Sequence, residues 1–237
     1  GGSATANAIL NMNAGAGDIL IEGATEVTAD AQLAPGAAPG DGVTTENDLT
    51  VTSNANKFTG QILGDARANA DAILIADEGN VTADSITVAA AANIDVGIVK
   101  ADIDIPNGAS LTAFDGAIAG NADAEATLDI EAQGTVEVRG MVSVTADAHI
   151  NVDAITMVGI NVTNGTFVGI AGEGIVGSAN ALAELDVHST QGPVIFSAPE
   201  VDGIAGITVS ARADQTVGDI DMSATVLSTD GLARFTG

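Results

Sequence analysis

Apolar and polar residues alternate over most of this chain, and residues 121–144 (NADAEATLDIEAQGTVEVRGMVSV) show the pattern most clearly. Leu128, Ile130, Val136 and Val138 occupy the apolar positions, and acidic residues, Thr or Arg stand beside them. Val142 and Val144 continue this predicted inward stripe. A period of two over short runs is typical of strands that bury one face. Val, Ile and Thr favour such strands, and Gly interrupts them at turns. No segment shows the 3.6-residue period of an amphipathic helix, so the sequence predicts an all-β protein.

The apolar residues of the chain are small, and this limits how a core is built. Hydrophobic residues make up 46% of the 237 residues, yet only 2% are aromatic: five Phe, with neither Tyr nor Trp. A core of Ala, Val, Ile and Leu gains its stability from many small burials, at about 0.8 kcal/mol per CH₂ group. Small inward side chains also allow two facing sheets to lie close together.

Two markers recur along the chain and indicate internal repeats, the signature of stacked architectures. Asn-Ala pairs preceded by Ala or Gly begin at positions 7, 69, 121 and 180, and four of the five Phe stand at positions 58, 114, 167 and 235, with Phe196 outside the pattern. We therefore predict one repetitive β domain over residues 1–237, with approximate repeats 1–60, 61–116, 117–176 and 177–237. The segment LAPGAAPGDG at 33–42 predicts an irregular, protruding Pro/Gly loop.

Many short strands without helices leave a solenoid, a sandwich or a barrel. A repeat of about 57 residues divides into three solenoid coils of about 19–20 residues, which gives about twelve coils and a rod about 55 Å long. We therefore predict a parallel, right-handed β-helix, a β-solenoid. The alternative is an antiparallel β-sandwich or jelly-roll subunit of a filament, in which Gln133-Gly134 and Arg139-Gly140 are hairpin turns.

Three runs carry a resemblance to a known family: GDILIEGATEV at 17–27, NADAEATLDIEAQGTVEV at 121–138 and GDIDMSATVLSTDG at 218–231. They resemble coils of the filamentous-haemagglutinin-like β-helix repeats found in large secreted exoproteins and adhesins. The resemblance implies a right-handed parallel β-helix at a cell surface or in an extracellular fibre.

The charge of the chain excludes several classes of partner. Its formal net charge is −26, from 32 acidic and 6 basic residues. Such a surface repels nucleic acid and anionic membranes. No apolar run reaches 18 residues, so we predict no membrane insertion. The chain has no Cys, which removes disulfides and thiolate metal sites. We expect an extracellular or cell-surface location.

Candidate chemistry is limited to carboxylates. Pairs two residues apart face the same side of a strand, and Asp102 with Asp104 and Asp219 with Asp221 are the candidates for a calcium site, because oxygen clusters select Ca²⁺. Asp129 with Glu131 has the spacing of a glycosidase pair, but so do many positions of an acidic alternating chain. His149 and His188 lie alone on outward positions and predict no zinc site. We predict neither an enzyme nor a cofactor, with calcium as the only candidate ion.

The ends of the chain resemble its interior. The closing ARFTG is similar to KFTG at 57–60, and the opening GGSATANA is similar to the approach to later Asn-Ala pairs. We therefore predict that repeats continue end to end, either in stacked identical copies or in a longer repetitive chain, because head-to-tail contacts that do not close form fibres. The predicted function is a structural extracellular protein that builds a fibre, sheath or surface filament. The alternative is an adhesin stalk or a binding module of a large exoprotein.

Overall fold

The computed structural model describes residues 3–33, 46–52, 57–61, 64–105, 110–111, 113–117, 119–162, 166–167, 176–197 and 206–221. Within these ranges the chain forms strands and no helix, which confirms the all-β prediction. The strands, in chain order, are β1 (Ala4–Ala14), β2 (Ile19–Leu33), β3 (Glu46–Thr52), β4 (Lys57–Gln61), β5 (Ala66–Ala76), β6 (Val81–Ile105), β7 (Ser110–Leu111), β8 (Ala113–Ala117), β9 (Ala122–Ala132), β10 (Val136–Val138), β11 (Val142–Val162), β12 (Thr166–Phe167), β13 (Ala179–Ser189), β14 (Val194–Phe196) and β15 (Ile207–Asp221).

The strands form two large parallel sheets. Sheet I has the order β1-β5-β9-β13. Sheet II has the order β14-β10-β6-β11-β15, and β2 and β3 also pair with β6. Two small parallel pairs, β4-β8 and β7-β12, complete the described strands. All described strand pairs are parallel, so the antiparallel sandwich or jelly roll is wrong.

Each strand pairs with the equivalent strand of the next repeat. Ala4 pairs with Ala66, Ala66 with Ala122, and Ala122 with Ala179. The chain thus passes through both sheets four times, and we name these passes layer 1 (β1, β2, β3), layer 2 (β5, β6), layer 3 (β9, β10, β11) and layer 4 (β13, β14, β15). Residues at one position in successive layers form a column, with neighbours about 4.8 Å apart.

The prediction of three coils of about 20 residues in each repeat is wrong. Paired residues lie between 52 positions apart (Glu46 with Ile98) and 65 positions apart (Val142 with Ile207). One repeat therefore makes one layer, and four layers span about 19 Å rather than about 55 Å. The reason is strand length: β6 continues for 25 residues because Ala89–Ala92 extend the strand instead of ending it.

The core lies between the two sheets. Inward side chains of β5 and β9 are mostly Ala, and those of β6, β10 and β11 are mostly Val, Ile and Ala; together they form one buried cluster. The predicted inward stripe is confirmed, because these residues are 0% exposed: Leu128, Ile130, Val136, Val138, Val142 and Val144. Small side chains on sheet I face branched side chains on sheet II. This pairing fills the core between the sheets, and the buried residues described in layers 2 and 3 include no aromatic one.

A corner joins sheet I to sheet II in every layer, and each corner contains a Gly one or two residues before sheet II begins. Asp18 and Asn80 stand at the same position of successive corners. The backbone N–H of Asn80 donates to Asp18 Oδ1 (2.8 Å), and the N–H of Thr135 donates to Asn80 Oδ1 (2.7 Å). Each side chain therefore holds the backbone of the next layer, which fixes the register between layers.

A second corner leads into sheet I and uses the same device. The N–H of Asn121 donates to Asp65 Oδ1 (3.0 Å), and the N–H of Ser178 donates to Asn121 Oδ1 (2.9 Å). A Cβ at Gly120 would lie 2.7 Å from the Gly64 carbonyl, so this column requires glycine. The accepting side chains at the two corners are Asp and Asn, which both offer a side-chain oxygen.

The two predicted hairpin turns connect strands that pair with strands of other layers and not with each other. Gln133-Gly134 joins β9 of sheet I to β10 of sheet II, and Arg139-Gly140 joins β10 to β11, which both pair with β6. They are corners and not hairpins, because the flanking strands do not pair with each other. Most of the Pro/Gly loop at 33–42 lies outside the described residues; Leu33 is the last residue of β2. The proposed repeat limits stay a prediction.

Candidate functional site

The two end layers expose positions that are buried in the middle of the stack. Val144 in layer 3 is 0% exposed, whereas Val209, its neighbour in the same column of layer 4, is 47% exposed. In layer 1, Met12 is 37% exposed although its column neighbour Leu74 is buried. Nothing in the described chain covers these apolar positions, so each end of the stack presents an apolar surface bordered by strand edges.

Exposed apolar residues also occur on outward positions of the end layers. Leu20 in layer 1 is 59% exposed and Ile195 in layer 4 is 40% exposed. Both belong to one column, in which the middle layers carry Thr82 and Glu137. The outward residues of this column are therefore polar in the middle layers and apolar in both end layers.

The outward face of sheet I carries a groove of about 360 Å³ at the start of its strands. Its lining includes Arg67, Asn69, Asp123 and Asn180. The Asn180 amide donates to Asp123 Oδ1 (2.8 Å), and Arg67 Nε lies 3.5 Å from Asp123. Asn69 donates to Asp71 (3.0 Å), while its own Oδ1 is buried without a hydrogen-bond partner among the described groups. The groove offers donors and acceptors for a polar ligand.

Carboxylates meet in register further along the same face. Asp129 in layer 3 pairs with Asp186 in layer 4, and Glu131 follows on the same strand. Burial raises the pKa of Asp129 above its ordinary value of 3.8, and Glu131, Asp186 and Glu184 raise it further. Asp129 with Glu131 is the pair whose spacing matches that of a glycosidase. It lies four residues from Glu125 in the groove, which is about 13 Å along the strand.

The four predicted calcium ligands lie in two separate places. Asp102 and Asp104 belong to β6, where Asp102 pairs with Thr50 and with Gly159. Asp219 and Asp221 belong to β15, where Asp219 pairs with Ala154. Ala154 pairs with Ile98, so the two pairs occupy columns four positions apart. Their side chains lie outside the described part, and the calcium site stays a prediction that would need two separate ions.

The histidines lie where the alternation predicts them. His149 is half-buried on the outward face of sheet II, and His188 is exposed on the outward face of sheet I. Among the side chains that the structure describes, no group of three or more His, Asp or Glu is arranged to hold a metal ion.

The corner motifs are the functional signal that the sequence analysis missed. Gly followed by Ser, Asp or Asn and then Ala occurs at 2–4, 64–66, 120–122 and 177–179. The Asn-Ala marker mixes columns: Asn7 pairs with Asn69, but Asn121 stands at a corner and Asn180 pairs with Asp123. Phe58 pairs with Phe114, whereas Phe167 pairs with Leu111. The Gly-led triplets would have identified the layers directly.

The part of the chain that the structure describes contains no helix of the length and hydropathy needed to cross a membrane. Comparison of the chain with protein-family models, with curated proteins and with solved structures finds no match.

Proposed function

We propose that this protein is a structural, extracellular protein that builds a fibre, sheath or surface filament by continued parallel stacking at the two ends of its layers. The observation that carries the proposal is the exposure of inward apolar residues in the end layers. Val209 repeats the chemistry of buried Val144 yet remains 47% exposed. Covering such surface with another layer gains about 25 cal/mol per Å² of apolar area and pairs the open strand edges.

The proposed architecture of the filament is a right-handed β-solenoid whose coils are the four layers. Two observations support it: corners connect sheet I to sheet II in register, and all described strands are parallel. The resemblance of three runs to filamentous-haemagglutinin-like repeats agrees with this architecture and with a location outside the cell. The formal charge of −26 supports a solvated outer surface that keeps such a rod dispersed from other rods.

The second candidate function is that of an adhesin stalk or binding module. The groove on the outward face of sheet I favours it, because its lining combines Arg67, Asp123 and the amides of Asn69 and Asn180. A polar ligand such as a surface glycan is the chemical class that these groups recognise. In that case the chain stays dispersed and the groove, not the ends, carries the activity.

Fibre diffraction and electron microscopy test the structural proposal. Stacking predicts filaments with a 4.7–4.9 Å reflection along the fibre axis and an axial subunit repeat of about 19 Å, which is four layers. Val209→Lys, which places a charge on the exposed end surface, is expected to abolish filaments. Its matched control is Ser210→Lys, whose side chain points to the outward face. Dispersed monomers at all protein and salt concentrations would contradict the proposal and favour the binding module.

A further inference from the structure

The two ends of the stack match each other, and this identifies a partner. We propose that a second copy of this chain binds head to tail, with layer 4 of one copy on layer 1 of the next, in the register that the layers use within the chain. This inference rests on the proposed stacking function and specifies its partner and register. It follows from the columns: most strand residues of layer 4 have a column position in layer 1, through the pairs in layers 2 and 3.

Several inward columns place residues of the same size opposite each other across this contact. Leu185 of layer 4 and Leu10 of layer 1 share a column with Leu128 of layer 3. Val209 shares a column with Val27. Along β13 and β1, Ala residues meet at the first three inward positions, as they do between β5 and β9. At these positions a second copy continues the core between the sheets with the same side-chain sizes, whereas Ile207 meets Thr25 and Gln215 meets Leu33.

The outward apolar residues become partners in this register. Ile195 of one copy lies beside Leu20 of the next, because both occupy the column that carries Thr82 and Glu137 in the middle layers. An isolated stack exposes both side chains to water. The head-to-tail contact brings them together at the spacing of cross-strand pairs, about 4.8 Å between strands.

Charges complement each other across the same contact. Arg212 in layer 4 shares a column with Asp147 of layer 3 and with Asp30 of layer 1. Its side chain is 70% exposed and pairs with Asp214 on its own strand. In the next copy Asp30 lies directly over Arg212, so the guanidinium stands between two carboxylates.

Sheet I avoids like charges at this contact. The outward positions of β1 carry no carboxylate; they are Thr5, Asn7, Ile9, Asn11 and Asn13. Glu184 and Asp186 of layer 4 therefore meet Ile9 and Asn11 of the next copy. Inside the chain, by contrast, Asp186 lies beside Asp129. In sheet I, β1 therefore accepts acidic β13 with less repulsion than β9 does.

Charge reversal with rescue by mixing tests the register. Asp30→Arg places Arg opposite Arg212, and Arg212→Asp places Asp opposite Asp30, so each variant alone is expected to raise the critical concentration for assembly about tenfold. Mixed in equal amounts, the two variants are expected to assemble in alternation like the unmodified chain. Asp95→Arg, the same charge change in layer 2 away from the ends, is expected to leave assembly unchanged, because its column neighbours are the uncharged Asn151 and Thr216.

A cross-link gives a second measurement that does not depend on how well the charge variants fold. The chain has no Cys, so Thr28→Cys with Ser210→Cys adds one pair in one column. Within a chain these positions lie three layers apart, about 14 Å, beyond disulfide reach. Oxidation is therefore expected to link neighbouring copies into a covalent ladder, whereas Glu22→Cys with Ser210→Cys gives none.

The outcomes separate the inference from the function on which it rests. Filaments that form equally well from either charge variant alone, and that give no ladder, would overturn the head-to-tail register and leave the stacking function intact. This result points to copies that stack at their ends in another register. Absence of filaments from the unmodified chain would overturn both.

Discussion

Within sheet I, Asp129 of layer 3 lies directly beside Asp186 of layer 4, and like charges in register oppose pairing. The alternation explains this repulsion. Because the inward positions form the apolar core, the carboxylates occupy outward positions, and the chain has too few basic residues to pair with all of them. The described Arg side chains pair with carboxylates two residues away, as Arg67 does with Asp65 (2.8 Å). Asp129 has no such partner among the described residues, and burial adds to the cost of its charge.

Asp129→Asn is expected to stabilise the fold at neutral pH. Because the pKa of Asp129 is raised in the folded state, that state binds the proton more tightly than the unfolded chain. The contribution of Asp129 to stability therefore falls as the pH rises from 3.8 through the folded pKa. We expect a gain of up to about 1 kcal/mol in the free energy of unfolding at pH 7, which vanishes below pH 3.8.

Denaturant unfolding of the dispersed chain across the pH range measures this gain. The matched control is Glu125→Gln on the same strand, whose column neighbours are the uncharged Asn69 and Leu182. It is expected to change the unfolding free energy little at any pH. An Asp129→Asn gain that persisted at pH 3 would show that the effect is not one of charge.

The register of pairing between layers depends more on the corners than on the strands. A strand of alternating Ala and polar residues, such as β5, would pair in several registers with similar energy. The corner columns remove that freedom, since the carboxylate or amide of one layer accepts from the backbone of the next. Glycine is required beside them because the layers come so close that a Cβ would overlap the backbone below.

Gly120→Ala is therefore expected to destabilise the fold by about 1–3 kcal/mol, the usual cost of overpacking. Its Cβ would lie 2.7 Å from the Gly64 carbonyl, which cannot move without shifting layer 2. Gly15→Ala is the control, because no atom lies within 4 Å of the added Cβ. Equilibrium unfolding in urea compares the two. Equal stability of both variants would mean that the corner column relaxes freely and does not set the register.

The strands could be predicted from the sequence, and their stacking distance could not. Alternation alone identified the inward residues of β9, β10 and β11, because in a strand every second residue faces the core and the apolar ones show which face that is. It does not say how many residues pass before the chain returns to the same column. Ala89–Ala92 carries no turn signal, and the strand that contains it runs for 25 residues, which is longer than a whole coil of about 20 residues. The groove was also unpredictable, since Arg67 and Asp123 are 56 residues apart and meet only through the layer spacing.

At the scale of the whole molecule, the described strands form four layers, and no described residue covers the outer side of layer 1 or of layer 4. Layers 2 and 3 are covered on both sides by neighbouring layers, and each end layer is covered on one side only. Stability in such stacks is approximately a sum of layer and interface contributions. An end layer therefore contributes less to the free energy of unfolding of the isolated chain than a middle layer of the same composition. Binding of another layer at that end supplies the missing interface.

The Leu column through layers 1, 3 and 4 tests this distribution directly. Leu128 is 0% exposed, whereas Leu10 and Leu185 are half-buried at the two ends. Leu128→Ala is expected to cost the isolated chain about 2–5 kcal/mol in unfolding free energy, the usual cost of a buried Leu-to-Ala change. It is expected to leave the critical concentration for assembly unchanged, because Leu128 is buried equally in free and assembled chains.

Leu185→Ala and Leu10→Ala are expected to show the opposite behaviour. Each costs the isolated chain less than Leu128→Ala does, because part of the side chain is already in water. Each raises the critical concentration roughly five- to tenfold, because assembly no longer buries that remaining surface. Sedimentation at a series of protein concentrations measures the second effect, and urea unfolding of dispersed chains measures the first. If Leu128→Ala raised the critical concentration as much as Leu185→Ala, filaments would have to form through a surface other than the ends.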